Sequence, residues 1–397
     1  MKRRHVISLF SSLTGAALLS AHAPGWAQAS ARPAASAADR ILVLVELKGG
    51  NDGLNTVIPY ADSNYYQLRP VIGIKPEEVI RLDAQTGLHP ELKALLPMWE
   101  KGELGIVQGV GYPQPNLSHF RSIEIWETGS KASEYLHQGW VARGLGGMSD
   151  TARFTTEGVI IGSGEFGALS GARAVSLNNP EAFVNQSRLA QGIDASPARG
   201  NAALQYLLQV ENDINQAAQG LRGEKYNFNT QFPPGAFGNG VKAAAQVVAS
   251  QKGRGGVPVI TLTLGSFDTH QNQLGAHANL MKQLAEGMAA LKSALSELGA
   301  WDRTLVMSFS EFGRRPQQNN SNGTDHGTMA PHFVAGGAVH GGLYGQAPDL
   351  TRLDGTQNAS YTTDFRQLYA TVAKDWWGVK PDTVTRGHFN PLGFLRT

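Results

Sequence analysis

Residues 41–47 read Ile-Leu-Val-Leu-Val-Glu-Leu, an almost unbroken apolar run. A run this short and this continuous predicts a strand buried on both faces, as in the centre of a parallel sheet. It stops at Gly49-Gly50-Asn51-Asp52-Gly53, a tight turn at the strand's carboxyl end, where ligand sites of open α/β sheets gather. The same unit recurs. An apolar strand at 257–264 ends in Gly265-Ser266-Phe267-Asp268-Thr269-His270. Another at 303–309 ends in Ser310-Glu311-Phe312-Gly313-Arg314, and a last one at 333–335 runs into glycines. Shorter strands are predicted at 104–110 and 159–161.

Between them the apolar spacing changes from runs to helical periodicity. Leu92, Leu95, Leu96 and Trp99 share one face of a helix over 89–101, and Leu280, Leu284, Met288, Leu291 and Leu295 one face of a long helix over 272–298. Helices are also predicted over 202–217 and, after the break at Pro113 and Pro115, over 118–126, with Phe120, Ile123 and Trp126 turned inward. Strand–helix alternation of this kind predicts an α/β fold with a central, largely parallel (mixed) sheet sandwiched by helices. The stretch at about 130–255 is sparser in signals, with a Gly/Pro-rich segment at 232–240, and reads as an insertion on a single domain over 40–397.

The first residues follow a different rule. Lys2-Arg3-Arg4 precedes a mildly apolar run over 6–20, and Ala27-Gln28-Ala29 offers small residues for cleavage. This predicts a twin-arginine signal peptide at 1–29, followed by an Ala/Ser/Pro-rich flexible linker at 30–39. The expected location is the periplasm or outside the cell, with the twin-arginine translocase as the partner during export. No other run is apolar and long enough to serve as a stable membrane anchor.

Composition narrows the chemistry. The 397 residues include no cysteine, which excludes disulfides, thiolate metal sites and iron–sulfur clusters. Any metal must then be held by His, Asp, Glu or Asn, a donor set suited to zinc, manganese or calcium. The formal net charge is +2, and the leader carries three of the basic residues and no acid. The rest is close to neutral, and nothing in it points to nucleic acid as a partner.

Polar groups collect just past the predicted strands: Asp52, then Asp268 and His270, then Glu311, then Asp325 and His326 in a Gly-flanked loop. Strand ends of a parallel sheet share one edge, so these carboxylates and imidazoles can converge on one or two divalent ions. Ser118 heads a predicted helix. It reads either as an N-cap or as a hydroxyl placed at the positive helix end to attack a bound anion, with His119 or His270 moving protons and Arg121 contacting the anion.

Several stretches carry a resemblance. They are Glu46 through Thr56, Ser118-His119-Phe120-Arg121-Ser122 through Gly129, Asp268 through Gln273, Ser310 through Arg314, Asp325-His326 through Gly337, and Asp364-Phe365-Arg366. Together they resemble the domain of unknown function 1501 family, which in turn looks like a branch of the alkaline phosphatase and sulfatase superfamily. That resemblance implies an alkaline-phosphatase-like fold and a hydrolase of phosphate or sulfate esters, with a small-molecule or envelope ester as substrate. It places a nucleophile at Ser118 and metal ligands at Asp52, Asp268, His270 and Glu311. Asp325 and His326 match either the later ligand pair or the last His-bearing loop. Two departures stand out: the Asp268–His270 step is short, and Phe312 follows Glu311 where a His or Asn ligand is expected. A non-catalytic exported binding protein on a degenerate scaffold is the competing reading, and a metal-dependent isomerase or transferase a third.

Overall fold

A computed structural model describes residues 36–149, 151, 154–188, 202–222, 226–251 and 256–396. The expected signal peptide and most of the expected linker lie outside these residues. Strand β1 (Ile41–Leu47) is buried along all seven positions, as its continuous apolar run requires. A small antiparallel sheet follows, made of β2 (Val57–Ile58), β3 (Ile80–Arg81) and β4 (Gly87–Leu88). Next come β5 (Leu104–Gly111), β6 (Gly158–Ile161), β7 (Ala174–Leu177), β8 (Val259–Leu264) and β9 (Thr304–Phe309). A two-stranded ribbon, β10 (Gly313–Gln318) and β11 (Thr324–Gly327), precedes β12 (Met329–Ala335). The short strands β13 (Gly342–Tyr344) and β14 (Thr363–Asp364) complete the set.

The main sheet runs β13-β5-β12-β9-β1-β8-β6-β7, with β14 also pairing with β5. β1 lies parallel to both β8 and β9, and β6 parallel to β8 and β7. β12 is antiparallel to both of its neighbours, β5 and β9. The sheet is therefore mixed and mostly parallel, with helices on both faces, as the alternation of strand and helix signals implies. Residues 158–161 and 174–177 extend this main sheet.

Alternation along β1 separates two cores. Ile41, Val43, Val45 and Leu47 face one side, where they meet the helices Ala236–Ser250 and Gln273–Glu297 through Val241, Leu284, Met288 and Leu291. Leu42 and Leu44 face the other, packed with Ile125, Trp126, Trp140, Phe365 and Tyr369. Each fully buried side chain of this size stabilises the fold by roughly 1.5–3 kcal/mol. Helix Ala236–Ser250 begins inside the Gly/Pro-rich segment at 232–240, because Gly235, at φ 96, supplies the turn before it.

One face assignment differs from the expectation. Phe120 is 89% exposed, while Ser122, Ile125 and Trp126 form the buried stripe of helix His119–Thr128. Phe120 and Trp126 are six residues apart, about a third of a turn out of alignment at 3.6 residues per turn.

The mixed topology puts the carboxyl ends of β1, β5, β8 and β9, and the start of β12, at one edge. Close approach there depends on Gly49, whose φ is 119 and whose added Cβ would stand 2.5 Å from the Asp268 backbone nitrogen. Gly50, at φ 84, leaves room for the Phe312 ring. These two glycines let the turn after β1 lie directly beneath the loop after β8.

Candidate metal centre

His119 is the first residue of its helix and follows β5 by a short loop. Its Nδ1 lies 2.9 Å from Glu311 Oε1, which also accepts a bond from the Gly49 N–H at 2.8 Å. Its other nitrogen, Nε2, lies 3.5 Å from Asp268 Oδ2. His326, on β11, donates from Nδ1 to the Leu117 carbonyl at 2.8 Å. The carbonyl can only accept, so this bond fixes the proton on Nδ1 and leaves the Nε2 lone pair free. That Nε2 faces Asp268 Oδ1 at 3.2 Å and His270 Nε2 at 3.1 Å. His270 Nε2 is also 3.0 Å from Asp268 Oδ1. Burial lowers the pKa of His326, against the pull of its bond to the Leu117 carbonyl and of the Asp268 carboxylate beside it.

Imidazole lone pairs and a carboxylate thus crowd one point. Burial opposes ionisation of Asp268, but the bond from the Arg314 guanidinium and the charge beside it outweigh burial and hold the carboxyl at about 2. One donor atom each from His119, Asp268 and His326 fall within 4.8 Å of one another. Donors around a tetrahedral zinc with bonds of about 2.1 Å stand about 3.4 Å apart, and Asp268 stands 3.5 Å from His119 Nε2 and 3.2 Å from His326 Nε2. The polar partners behind the rings, Glu311 behind His119 and the Leu117 carbonyl behind His326, are the arrangement that orients histidine ligands. The residues therefore fit a divalent ion.

Other sequence-assigned residues stand elsewhere. Asp52 is fully buried and apart from the cluster, with Arg69 Nη1 donating to Oδ2 at 2.6 Å and Nη2 to Oδ1 at 2.9 Å. Burial is the largest influence on its pKa and raises it, yet Arg69 and Gln273 bring the net shift downward. Both oxygens are occupied, so Asp52 supports the site rather than lining it. Glu311 is likewise buried and reaches the cluster through the His119 ring. Asp325 Oδ1 is 3.7 Å from His270 Nδ1, beyond hydrogen-bonding distance, and accepts from Asn319 Nδ2 at 3.2 Å.

Ser118 caps the helix by position only: it is exposed, its backbone is extended and its hydroxyl makes no capping bond. It sits between Leu117, which holds His326, and His119. Arg121 points away from any anion at Ser118. Its guanidinium donates to the carbonyls of Ala132 and Glu134, pairs with Glu124, and lies 3.8 Å over the Tyr135 ring. Arg314 is buried, and its Nη2 donates to Asp268 Oδ1 at 2.6 Å and to the Phe267 carbonyl at 3.0 Å. Sequence reading passed over Arg69, Leu117 and Gln273. A carbonyl leaves no mark in side-chain patterns, and Arg69 stands seventeen residues past Asp52 with no motif linking the two.

The family model described as "Protein of unknown function (DUF1501)" matches residues 172–389. The chain belongs to this family. The DUF1501 match takes in Asp268, His270, Glu311, Arg314, Asp325 and His326, while Asp52, Ser118 and His119 precede it. No curated protein matches the chain. Among solved structures it is similar to Ps i-CgsB in complex with k-i-k-neocarrahexaose, at 10% identity over 88% of this chain and 75% of that one, TM-score 0.46. It is also similar to the PsFucS1 sulfatase from Pseudoalteromonas sp., at 13% identity over 90% and 72%, TM-score 0.41. A mutant TAB5 alkaline phosphatase with Mg bound is similar at 10% identity over 88% and 99%, TM-score 0.32. Among the described residues of this DUF1501 chain, no helix is long and apolar enough to cross a membrane.

Proposed function

We propose that this chain is an exported, metal-dependent hydrolase of phosphate or sulfate esters with Ser118 as its nucleophile. The observation that carries the reading is the meeting of His119 Nε2, His326 Nε2 and Asp268 at one exposed point, with the outer nitrogens of both rings tied to polar partners. Three protein donors with one side open is the catalytic rather than the structural type of site. His119, Asp268 and His326 would hold a zinc or manganese ion, which when bound polarises ester oxygens and lowers the pKa of a neighbouring hydroxyl. The leader sequence supports export.

The chain's own groups divide the remaining work. Ser118 Oγ, free of any capping bond, forms the bond to phosphorus or sulfur as the bond to the leaving oxygen breaks. Unpaired N–H groups in the first turn of helix His119–Thr128 receive the non-bridging oxygens. His270 is 43% exposed; its Nε2 donates toward Asp268 and the His326 lone pair, while its Nδ1 is held by no hydrogen bond and is open to take up and release a proton. It takes the Ser118 hydroxyl proton and passes it to the leaving oxygen, then takes one from the water that cleaves the seryl ester and returns it to Ser118 Oγ.

Elemental analysis of purified protein together with a phosphatase, sulfatase and phosphodiesterase panel tests the proposal. Wild type should hold stoichiometric metal and turn over one ester class. Ser118→Ala should keep the metal and lose turnover by at least about a hundredfold, whereas His326→Ala should lose the metal. Undiminished turnover in Ser118→Ala would remove Ser118 from the role. No stoichiometric metal in wild type, even after incubation with zinc or manganese, would refute the whole reading.

A further inference from the structure

Gln273 opens the long helix Gln273–Glu297 and is completely buried. Its Nε2 donates to Asp52 Oδ2. Asp52 is a carboxylate gripped by Arg69 and can only accept, so the amide has one possible orientation: nitrogen toward Asp52, oxygen away from it. The oxygen, Oε1, accepts from Thr269 Oγ1 at 3.0 Å and from Thr324 Oγ1 at 2.6 Å. Thr269 stands between Asp268 and His270, and Thr324 immediately precedes Asp325 and His326. The two loops also meet through the Thr324 N–H, which donates to the Thr269 carbonyl at 3.2 Å. A single amide thus joins both loops of the candidate centre to a buried ion pair.

We infer that Gln273 is a positioning residue that sets the separation of Asp268 and His326, and through it the affinity and coordination geometry of a bound divalent ion. The inference rests on the metal-site reading above. It explains Asp52 without making it a ligand. The carboxylate after β1 is the fixed end of a chain that runs Arg69, Asp52, Gln273, then Thr269 and Thr324. Each of the two hydroxyls supplies half of the clamp, and both act through the same oxygen.

The test measures zinc affinity by chelator competition, and the visible absorption spectrum of the cobalt-loaded protein, in five variants beside wild type. Thr269→Val and Thr324→Val each remove one hydroxyl at nearly constant volume and should weaken zinc binding about tenfold to a hundredfold. Both should also shift the cobalt bands, with the apoprotein's melting temperature close to wild type. The double variant and Gln273→Met should match each other, because both hydroxyls act through one amide oxygen. Thr269→Ser, which restores the hydroxyl, should recover wild-type affinity and spectrum. If Gln273→Met does not fold, the valine variants still decide. Wild-type affinity and unchanged cobalt bands in both valine variants, beside a wild type that binds one ion, would overturn the positioning role alone. Failure of wild type to bind zinc or cobalt would instead remove the metal site, and the inference with it.

Discussion

Arg69→Met isolates the part of the structure that departs most from expectation, a carboxylate turned inward to an arginine. The arginine side chain is fully buried and donates to both oxygens of Asp52, to Asn55 Oδ1 at 2.7 Å, and to the carbonyls of Pro316 and Arg315 at 2.8 and 3.0 Å. Methionine fills much of the volume but leaves the Asp52 charge buried with no cation beside it. Stripping one partner from a buried pair costs about 3–5 kcal/mol. At about 2.1 cal/mol/K of unfolding entropy per residue, a body of about 360 residues should lose about 4–7 °C of melting temperature. The loss should depend on pH with a definite sign. In wild type the Asp52 pKa is lowered, so its stabilising contribution is complete above the unfolded carboxyl value, about 3.9, and is lost only as pH falls through the folded value. In Arg69→Met burial acts without Arg69 and raises that pKa, so the folded variant takes up a proton at higher pH. The gap in melting temperature should therefore narrow from pH 7 to pH 5. Thermal unfolding followed by circular dichroism at both pH values reads this directly, and Asp52→Leu combined with Arg69→Met should recover most of the loss. A gap of less than about 2 °C at pH 7, or one unchanged at pH 5, would refute the account of the pair.

Glu311→Gln tests the carboxylate behind His119. The amide keeps one acceptor but loses the charge, so zinc affinity by competition titration should fall about tenfold to a hundredfold, with melting temperature of the apoprotein little changed; equal affinity would show that Glu311 does not orient the ring. Zinc affinity should also follow imidazole rather than carboxylate titration. It should be constant above about pH 7.5 and fall toward acid as protons compete for the ring nitrogens, the burial of His326 moving its share of the fall to lower pH. Asp268, held at about 2, adds no dependence in that window, and a profile flat from about pH 7.5 down to about pH 4.5 would exclude histidine ligands.

Much of this architecture can be read from apolar runs. β1 announces itself as a central strand, and strand ends that carry Asp268, His270 and Glu311 gather at one edge because parallel topology leaves them no other place. His326 joins them although β12 reverses direction, since the β10–β11 ribbon brings it back to the edge where β12 starts. What escaped was the identity of partners. Whether a carboxylate after a strand meets a cation or an arginine depends on a residue seventeen positions away, and nothing in the Asp52 turn distinguishes the two. Arg121 invited an anion-binding role by proximity to Ser118, yet its guanidinium is consumed by the 131–134 backbone. Side-chain length allows either outcome, and only packing selects one. The inward reading of Phe120 failed on helix phase, a quantity that two or three aromatic positions do not determine.

The bond from His326 to the Leu117 carbonyl spans 209 residues of chain, and that from His119 to Glu311 spans 192. Contacts so remote in sequence form slowly, because loop closure precedes any compensating interaction. The cluster can only be complete once β5, β8, β9 and β12 have all paired, which makes it among the last features to assemble. An ion captured there would bind finished chains and ignore unfinished ones, adding stability in proportion to the logarithm of its concentration over its dissociation constant. Metal uptake would then serve as a timestamp on folding: in a refolding experiment, its half-time marks the arrival of the last strand.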